Sequence, residues 1–170
     1  MEPFEIALML ATFLVSLVAG FVFAFAVVVM PGIKNLNDGE FIRAFQAMDG
    51  VIQKNQPIFM TVWMGSVVAL AASVALGFGS LDGSDRLLMM SAAVAYLVGV
   101  QLPTAAINVP LNNRLQTLDV GAMSESAHAS ARKSFERRWN SWNIVRTGFA
   151  ILVSAQLMIL LFAIDRKSVV

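Results

Sequence analysis

The charged residues of this chain are confined to short segments that separate four long uncharged stretches. No Asp, Glu, Lys or Arg lies between Glu5 and Lys34, between Lys54 and Asp82, between Arg86 and Arg114, or between Arg146 and Asp165. Each stretch can hold the roughly 20 apolar residues with which a helix crosses a hydrocarbon core of about 30 Å. A helix of a soluble protein needs a polar face instead. The pattern therefore predicts an integral membrane protein with four spans.

The spans are predicted to be helices. A helix satisfies its own backbone hydrogen bonds in lipid, and these stretches lack the alternating pattern of barrel strands. We place the spans at approximately residues 6–30, 58–79, 87–107 and 144–164 of one domain, residues 1–170. The predicted fold class is all-α: an antiparallel bundle of four transmembrane helices with short outer loops.

The first and third loops are expected to contain helices of their own. In loop one, apolar residues recur at helical spacing from Phe41 to Ile52, which predicts an amphipathic helix at the membrane interface, with Asp49 on its polar side. In loop three, aromatic residues recur at helical spacing from Phe135 to Trp142, beside several basic residues. This pattern predicts a long helical extension that continues into the fourth span.

The distribution of basic residues predicts the orientation. Loops one and three hold most of the Lys and Arg, so the positive-inside rule places both loops in the cytoplasm and both termini on the non-cytoplasmic side. We expect a bacterial inner membrane and membrane lipids as partners. The net charge of +1 gives no indication of nucleic-acid binding.

Several kinds of site are excluded by residues that the sequence lacks. There is no cysteine, which excludes disulfides and thiolate catalysis, and the single histidine excludes a multi-histidine metal site within one chain. That residue, His128, is expected to be solvated, in a loop tip or a frayed helix between residues 119 and 130. No carboxylate lies within a predicted span, which argues against a proton relay through carboxylates.

A first polar cluster follows the third span, where Asn108 and Asn112 surround Pro110 and where Pro103 lies one to two turns earlier. Each proline removes a backbone donor and bends or breaks a helix. Two interpretations remain open. The amides could cap the end of the helix, or a broken helix could line a cavity with Asn108 and Asn112 facing inward.

A second cluster lies at the start of the fourth span, where helical spacing places Trp139, Trp142, Asn143 and Arg146 on one face. In one interpretation Arg146 is an anchor at the membrane edge. In the other, the amide and the indoles form a pocket around the guanidinium. Such a pocket could bind an aromatic ring and stabilise an oxyanion.

Four segments together resemble a known family. They are Val29–Gly32 (VMPG), Phe45–Met48 (FQAM), Asn108–Asn112 (NVPLN) and Trp139–Thr147 (WNSWNIVRT). In their order and spacing the chain resembles, over nearly its whole length, the anthrone oxygenase-like family of small four-helix membrane proteins. It departs at residues 55–57, Asn-Gln-Pro, where many relatives carry Asn-Pro.

The resemblance implies a function. It implies oxidation of an aromatic or hydroquinone-type small molecule, such as an anthrone, by dioxygen without a cofactor or metal. The candidate catalytic residues, which would stabilise an enolate oxygen, are Arg146, Asn143, Asn108 and Asn112. The candidate substrate-binding residues are Trp139, Trp142, Gln101 and Gln46. The sequence identifies no general base.

A second hypothesis is a protein without catalytic activity. The same polar clusters could hold a lipid, a quinone or another hydrophobic molecule without reaction. The chain could also be an accessory subunit of a larger membrane complex, or a homo-oligomer. Retention of a bound lipid or of a stable partner in mild detergent would favour this hypothesis over the enzyme.

Overall fold

Five helices make up the part of the chain that the structure describes. The computed structural model describes the backbone of residues 2–168 and the side chains of residues 2–166, so residues 1, 169 and 170 of the expected domain lie outside it. The helices are α1 (Pro3–Ile33), α2 (Asp38–Gln53), α3 (Pro57–Gly77), α4 (Gly83–Gln116) and α5 (Glu125–Ser168). No strand occurs within residues 2–168.

Four of these helices, α1, α3, α4 and α5, are long and apolar enough to cross a membrane. Large apolar side chains such as Phe13, Leu87 and Phe162 point outward and are exposed over most of their surface. A surface of this kind is suited to lipid and not to water. The predicted all-helical fold with four spans is confirmed, and the chain is an integral membrane protein.

The main apolar core lies where α1 packs along α3 and α5, and where α5 packs along α4. Leu8, Val15 and Val22 of α1 are completely buried in this core. They meet Met89 of α4 and Leu157 of α5, which are also without exposed surface. The predicted extension in loop three is the first part of α5, which runs without interruption into the last span.

A second apolar core lies beneath α2. This helix begins at a capping box, in which the Asn37 side chain accepts a hydrogen bond from the Glu40 backbone and Glu40 reciprocates. Its residues Phe41 and Phe45 are buried, and the Phe45 ring lies 4.6 Å from that of Phe135 and 5.4 Å from that of Trp139. The predicted amphipathic helix is present, and its apolar face covers α5.

Arg132 holds the connection between α1 and α2 against α5. Its guanidinium donates to the carbonyl oxygens of Lys34 and Leu36, at 2.6 and 2.8 Å, and to the Asp38 carboxylate at 3.1 Å. The Nε atom donates to Glu136 at 2.7 Å. These bonds keep α2 over one end of the bundle.

Three π-helical segments interrupt the regular turns of α1 and α4, and each ends two residues before a proline. They are Phe25–Val29 before Pro31, Leu97–Gln101 before Pro103, and Thr104–Asn108 before Pro110. A proline ring crowds the carbonyl four residues earlier and offers no N–H to it. A wider turn accommodates both defects while the helix continues. The helix break considered for the third span is therefore not observed, because α4 passes both prolines and ends at residue 116.

One wide turn also allows a close approach of α4 to α5. Gly99 lies in the second π-helical segment and faces the ring of Phe149. A methyl group added at Gly99 would overlap with that ring. Only glycine fits here without a shift of one helix against the other.

Candidate functional site

A cavity of about 210 Å³ lies where α2 covers the ends of the other helices. Its apolar wall is mainly aromatic, and the rings are those of Phe21, Phe25, Phe45, Phe59, Trp63 and Trp139. Its polar wall consists of Asp49, Thr104, Asn108, Asn112 and Arg146. We call this space the chamber.

The aromatic rings of the chamber are packed against one another. Phe59 and Trp63 are stacked with centroids 5.5 Å apart, and Phe21 lies 5.1 Å from Phe59. On the other side, Trp139 lies 5.7 Å from Phe25. Flat rings that are held in this way favour a flat, apolar ligand.

Arg146 is the cation of the chamber, and only 6% of its surface is exposed. Its Nε and Nη2 atoms donate to Asn143 Oδ1 at 3.2 and 2.9 Å, and its Nη1 atom donates to Thr104 Oγ1 at 3.1 Å. Its Cζ atom lies 5.4 Å from the Trp139 ring centre. Within residues 2–166 no carboxylate oxygen lies within 4.0 Å of it. A buried cation without a carboxylate is costly, so this position favours an anionic ligand group.

Asn143 lies behind Arg146 and not on the chamber wall. Its Oδ1 atom receives both hydrogen bonds from the guanidinium, and its Nδ2 atom donates to the carbonyl oxygen of Val22 at 3.1 Å. Both ends of the amide are therefore engaged. Asn143 therefore orients Arg146 from behind.

Asp49 is the carboxylate of the chamber, and it is 3% exposed. Its Oδ1 atom accepts from Asn112 Nδ2 at 2.7 Å, and its Oδ2 atom accepts from Gln116 Nε2 at 2.9 Å. The Oδ1 atom of Asn112 in turn accepts from Trp139 Nε1 at 2.7 Å. A continuous network thus connects α2, α4 and α5 across the polar wall.

The assignment of Asp49 to the polar side of its helix was wrong, and the sequence contained the signal that would have corrected it. Asp49 follows Phe45 by four residues, so the two side chains lie one above the other on the same face. That face is buried because α4 and α5 cover it. Asp49 is the acidic residue that sequence reasoning missed.

Asn108 contributes an acceptor without a partner. The residue is 1% exposed, and its Nδ2 atom donates to the carbonyl oxygen of Trp139 at 3.3 Å. Its Oδ1 atom is buried and receives no hydrogen bond from any described residue. Buried acceptors are usually satisfied, so this atom is available to a ligand hydroxyl group.

Three of the predicted substrate-binding residues do not line the chamber. Trp142 is half-buried and lies outside its wall. Gln46 donates to the carbonyl oxygens of Leu115 and Leu118, at 2.8 and 3.0 Å, and so connects α2 to α4. Gln101 accepts from Trp63 Nε1 at 3.1 Å and stands behind that ring. Of the predicted set, Asn108, Asn112, Trp139 and Arg146 come together at the chamber.

His128 is buried and not solvated as expected. It belongs to the first turn of α5 and is 5% exposed, and its Nε2 atom lies 3.0 Å from the carbonyl oxygen of Val120. The segment before α5 supplies this carbonyl, and Gly39 of α2 faces the ring. Across the described part of the chain, no three His, Asp or Glu side chains group as metal ligands would.

Comparison with known proteins identifies the family. The family model described as anthrone oxygenase matches residues 58–155, which is more than half of the chain. The chain belongs to the anthrone oxygenase family. Neither the curated proteins nor the solved structures contain a significant match. The matched segment includes Arg146 and the chamber residues of α4, whereas Asp49 precedes it.

Proposed function

We propose that this member of the anthrone oxygenase family oxidises a neutral, flat aromatic molecule of anthrone or hydroquinone type with dioxygen, inside the chamber. The observation that carries the proposal is the presence of one buried carboxylate, Asp49, and one buried cation, Arg146, on the wall of a single aromatic cavity. A proton acceptor and an oxyanion partner are the two groups that such chemistry requires.

In the first step Asp49 accepts a proton from the substrate, either from the ring carbon of an anthrone or from the hydroxyl group of a hydroquinone. The amides of Asn112 and Gln116 hold the carboxylate on the wall. A general base of this kind typically raises the reaction rate about 10²–10⁴-fold. This role would supply the base that the sequence did not identify.

Arg146 stabilises the enolate or phenolate oxygen that results. Asn143 and Thr104 fix the guanidinium in place, so its charge is oriented before the substrate arrives. The free Oδ1 atom of Asn108 accepts a hydrogen bond from a second ring hydroxyl group. Removal of a donor that stabilises an oxyanion, as Arg146 does here, typically lowers the rate about 10²–10³-fold.

Dioxygen then oxidises the anion. With an anthrone, dioxygen adds at the deprotonated ring carbon, the peroxide takes back the proton from Asp49 to give a hydroperoxide, and loss of water leaves the second carbonyl of an anthraquinone. With a hydroquinone, two electrons and two protons pass to dioxygen and give a quinone and hydrogen peroxide.

The chamber volume of about 210 Å³ lies below the approximately 300–1,000 Å³ of drug-sized sites, which favours a small, flat substrate.

The test is oxygen uptake by the purified protein in lipid nanodiscs, with an anthrone and with a simple hydroquinone. We expect turnover above the protein-free rate, and at least a hundredfold loss in Arg146→Gln and in Asp49→Asn. Arg138→Gln and Asp119→Asn are matched controls at exposed positions and should retain wild-type rates. If the wild type consumes no oxygen with either substrate but binds one of them, the non-catalytic hypothesis replaces the enzyme.

A further inference from the structure

A second cavity, of about 690 Å³, lies between the end of α1 and the middle of α5. We call it the α1–α5 groove. It extends from Ala26, Asn143 and Ile144 at one end to Lys34, Lys133 and Arg137 at the other. From Ala26 to Lys34 the eight-residue rise of α1 corresponds to about 12 Å. Asn143 separates the groove from the chamber, because its side chain borders the groove and holds Arg146.

The charged end of the groove carries uncompensated positive charge. Lys34, Lys133 and Arg137 are exposed, and none of them lies within 4.0 Å of a carboxylate in residues 2–166. The acid that borders the groove, Glu136, is already bound by Arg132 at 2.7 Å. Three cations therefore line this end of the groove without an ion pair of their own.

The opposite end of the groove is apolar and opens toward the lipid-facing surface. Ile144 on α5 is 63% exposed, and Ala26 on α1 also lines this end. Between the two ends stands Asn140, whose Oδ1 atom is buried and has no hydrogen-bond partner among the described residues. The order along the groove is thus cation, amide, apolar surface.

We propose that the α1–α5 groove binds one anionic glycerophospholipid. The phosphate lies among Lys34, Lys133 and Arg137, the glycerol region lies beside Asn140, and an acyl chain continues over Ile144. Basic pockets between transmembrane helices bind anionic headgroups in this manner. The proposal does not depend on the oxidase activity, since it concerns a different cavity and is tested by binding alone.

The experiment measures lipid retention by native mass spectrometry on protein from nanodiscs that contain phosphatidylglycerol or phosphatidylcholine. We expect the wild type to retain one phosphatidylglycerol and no phosphatidylcholine. The variant Lys34→Gln/Lys133→Gln/Arg137→Gln should bind phosphatidylglycerol about a hundredfold more weakly, since each cation near a membrane surface contributes about fivefold. Raising the salt concentration should reduce this difference, because the three cations are exposed and salt screens them.

The matched control is Arg43→Gln/Lys54→Gln/Arg114→Gln, which removes three exposed cations from the same end of the protein but outside the groove. It should retain phosphatidylglycerol as the wild type does. An equal loss in both triple variants, or equal retention of phosphatidylcholine, would overturn the proposal. Full displacement of the lipid by inorganic phosphate would instead identify a site for soluble anions. If the triple variant does not fold, Arg137→Gln alone should still weaken binding about fivefold.

Discussion

Replacement of Arg146 by glutamine should separate stability from activity. The substitution removes a buried positive charge that has no carboxylate within 4.0 Å among residues 2–166, but it keeps an amide that can donate to Asn143. We expect a variant that is at least as stable as the wild type and nearly inactive. This combination is typical of a residue that is retained for function at the expense of stability.

The magnitude follows from two opposing terms. An arginine in a membrane helix costs about 2.5–3.5 kcal/mol at the bilayer centre and less toward the edge, and the variant regains this free energy. Against this, Asn143 Oδ1 exchanges a hydrogen bond from a charged donor, worth about 1.5–3 kcal/mol, for one from a neutral amide, worth about 0.5–1.5 kcal/mol. Thr104 keeps its bond to the carbonyl oxygen of Val100 at 2.7 Å and loses little. The balance is a gain of about 0–2 kcal/mol for the variant.

The assay is equilibrium unfolding in bicelles by titration with a denaturing detergent, with Arg138→Gln as a control that defines the effect of losing one exposed charge. Oxygen uptake on the same preparations measures activity, which should fall at least a hundredfold. A loss of unfolding free energy greater than about 2 kcal/mol in Arg146→Gln would refute the reasoning. It would mean that the guanidinium holds the helices together and is not a group kept for a ligand.

Two further substitutions test the packing around the chamber. Gly99→Ala should lower the unfolding free energy by about 1–3 kcal/mol, because the added methyl group overlaps with Phe149. The control Gly148→Ala has open space and should be neutral or stabilising by up to about 1 kcal/mol. Equal effects of the two substitutions in the same unfolding assay would contradict the close approach of α4 and α5. Arg132→Gln should release the α1–α2 connection and increase proteolysis there several-fold under native conditions. The control Lys133→Gln should leave the cleavage rate unchanged. An unchanged cleavage rate in Arg132→Gln would show that other contacts hold α2.

The positions of the spans could be read from the sequence because hydrocarbon excludes charge whatever the helices pack against. The uncharged stretch from Glu5 to Lys34 contains nearly all of α1, and the stretch between Arg146 and Asp165 lies within the second half of α5. The helical extension before the last span was also predicted, from the aromatic spacing between Phe135 and Trp142. Each of these inferences uses only local composition or periodicity.

The course of α4 could not be decided in the same way. Pro103 and Pro110 are compatible both with a broken helix and with a helix that widens for one turn. The widened form is stable here because α5 packs along the affected turns, with Phe149 against Gly99. The choice depends on a neighbour that is some fifty residues away in sequence.

The sequence by itself therefore determined that this protein lies in the membrane, which segments cross it, and which amides, indoles and arginine are available near one face. Only the tertiary structure decided that Asp49 and Arg146 border the same cavity, and that His128 is covered. The physical reason is that membrane insertion depends on the polarity of each segment alone. The burial of a single side chain depends on which other helix packs over it.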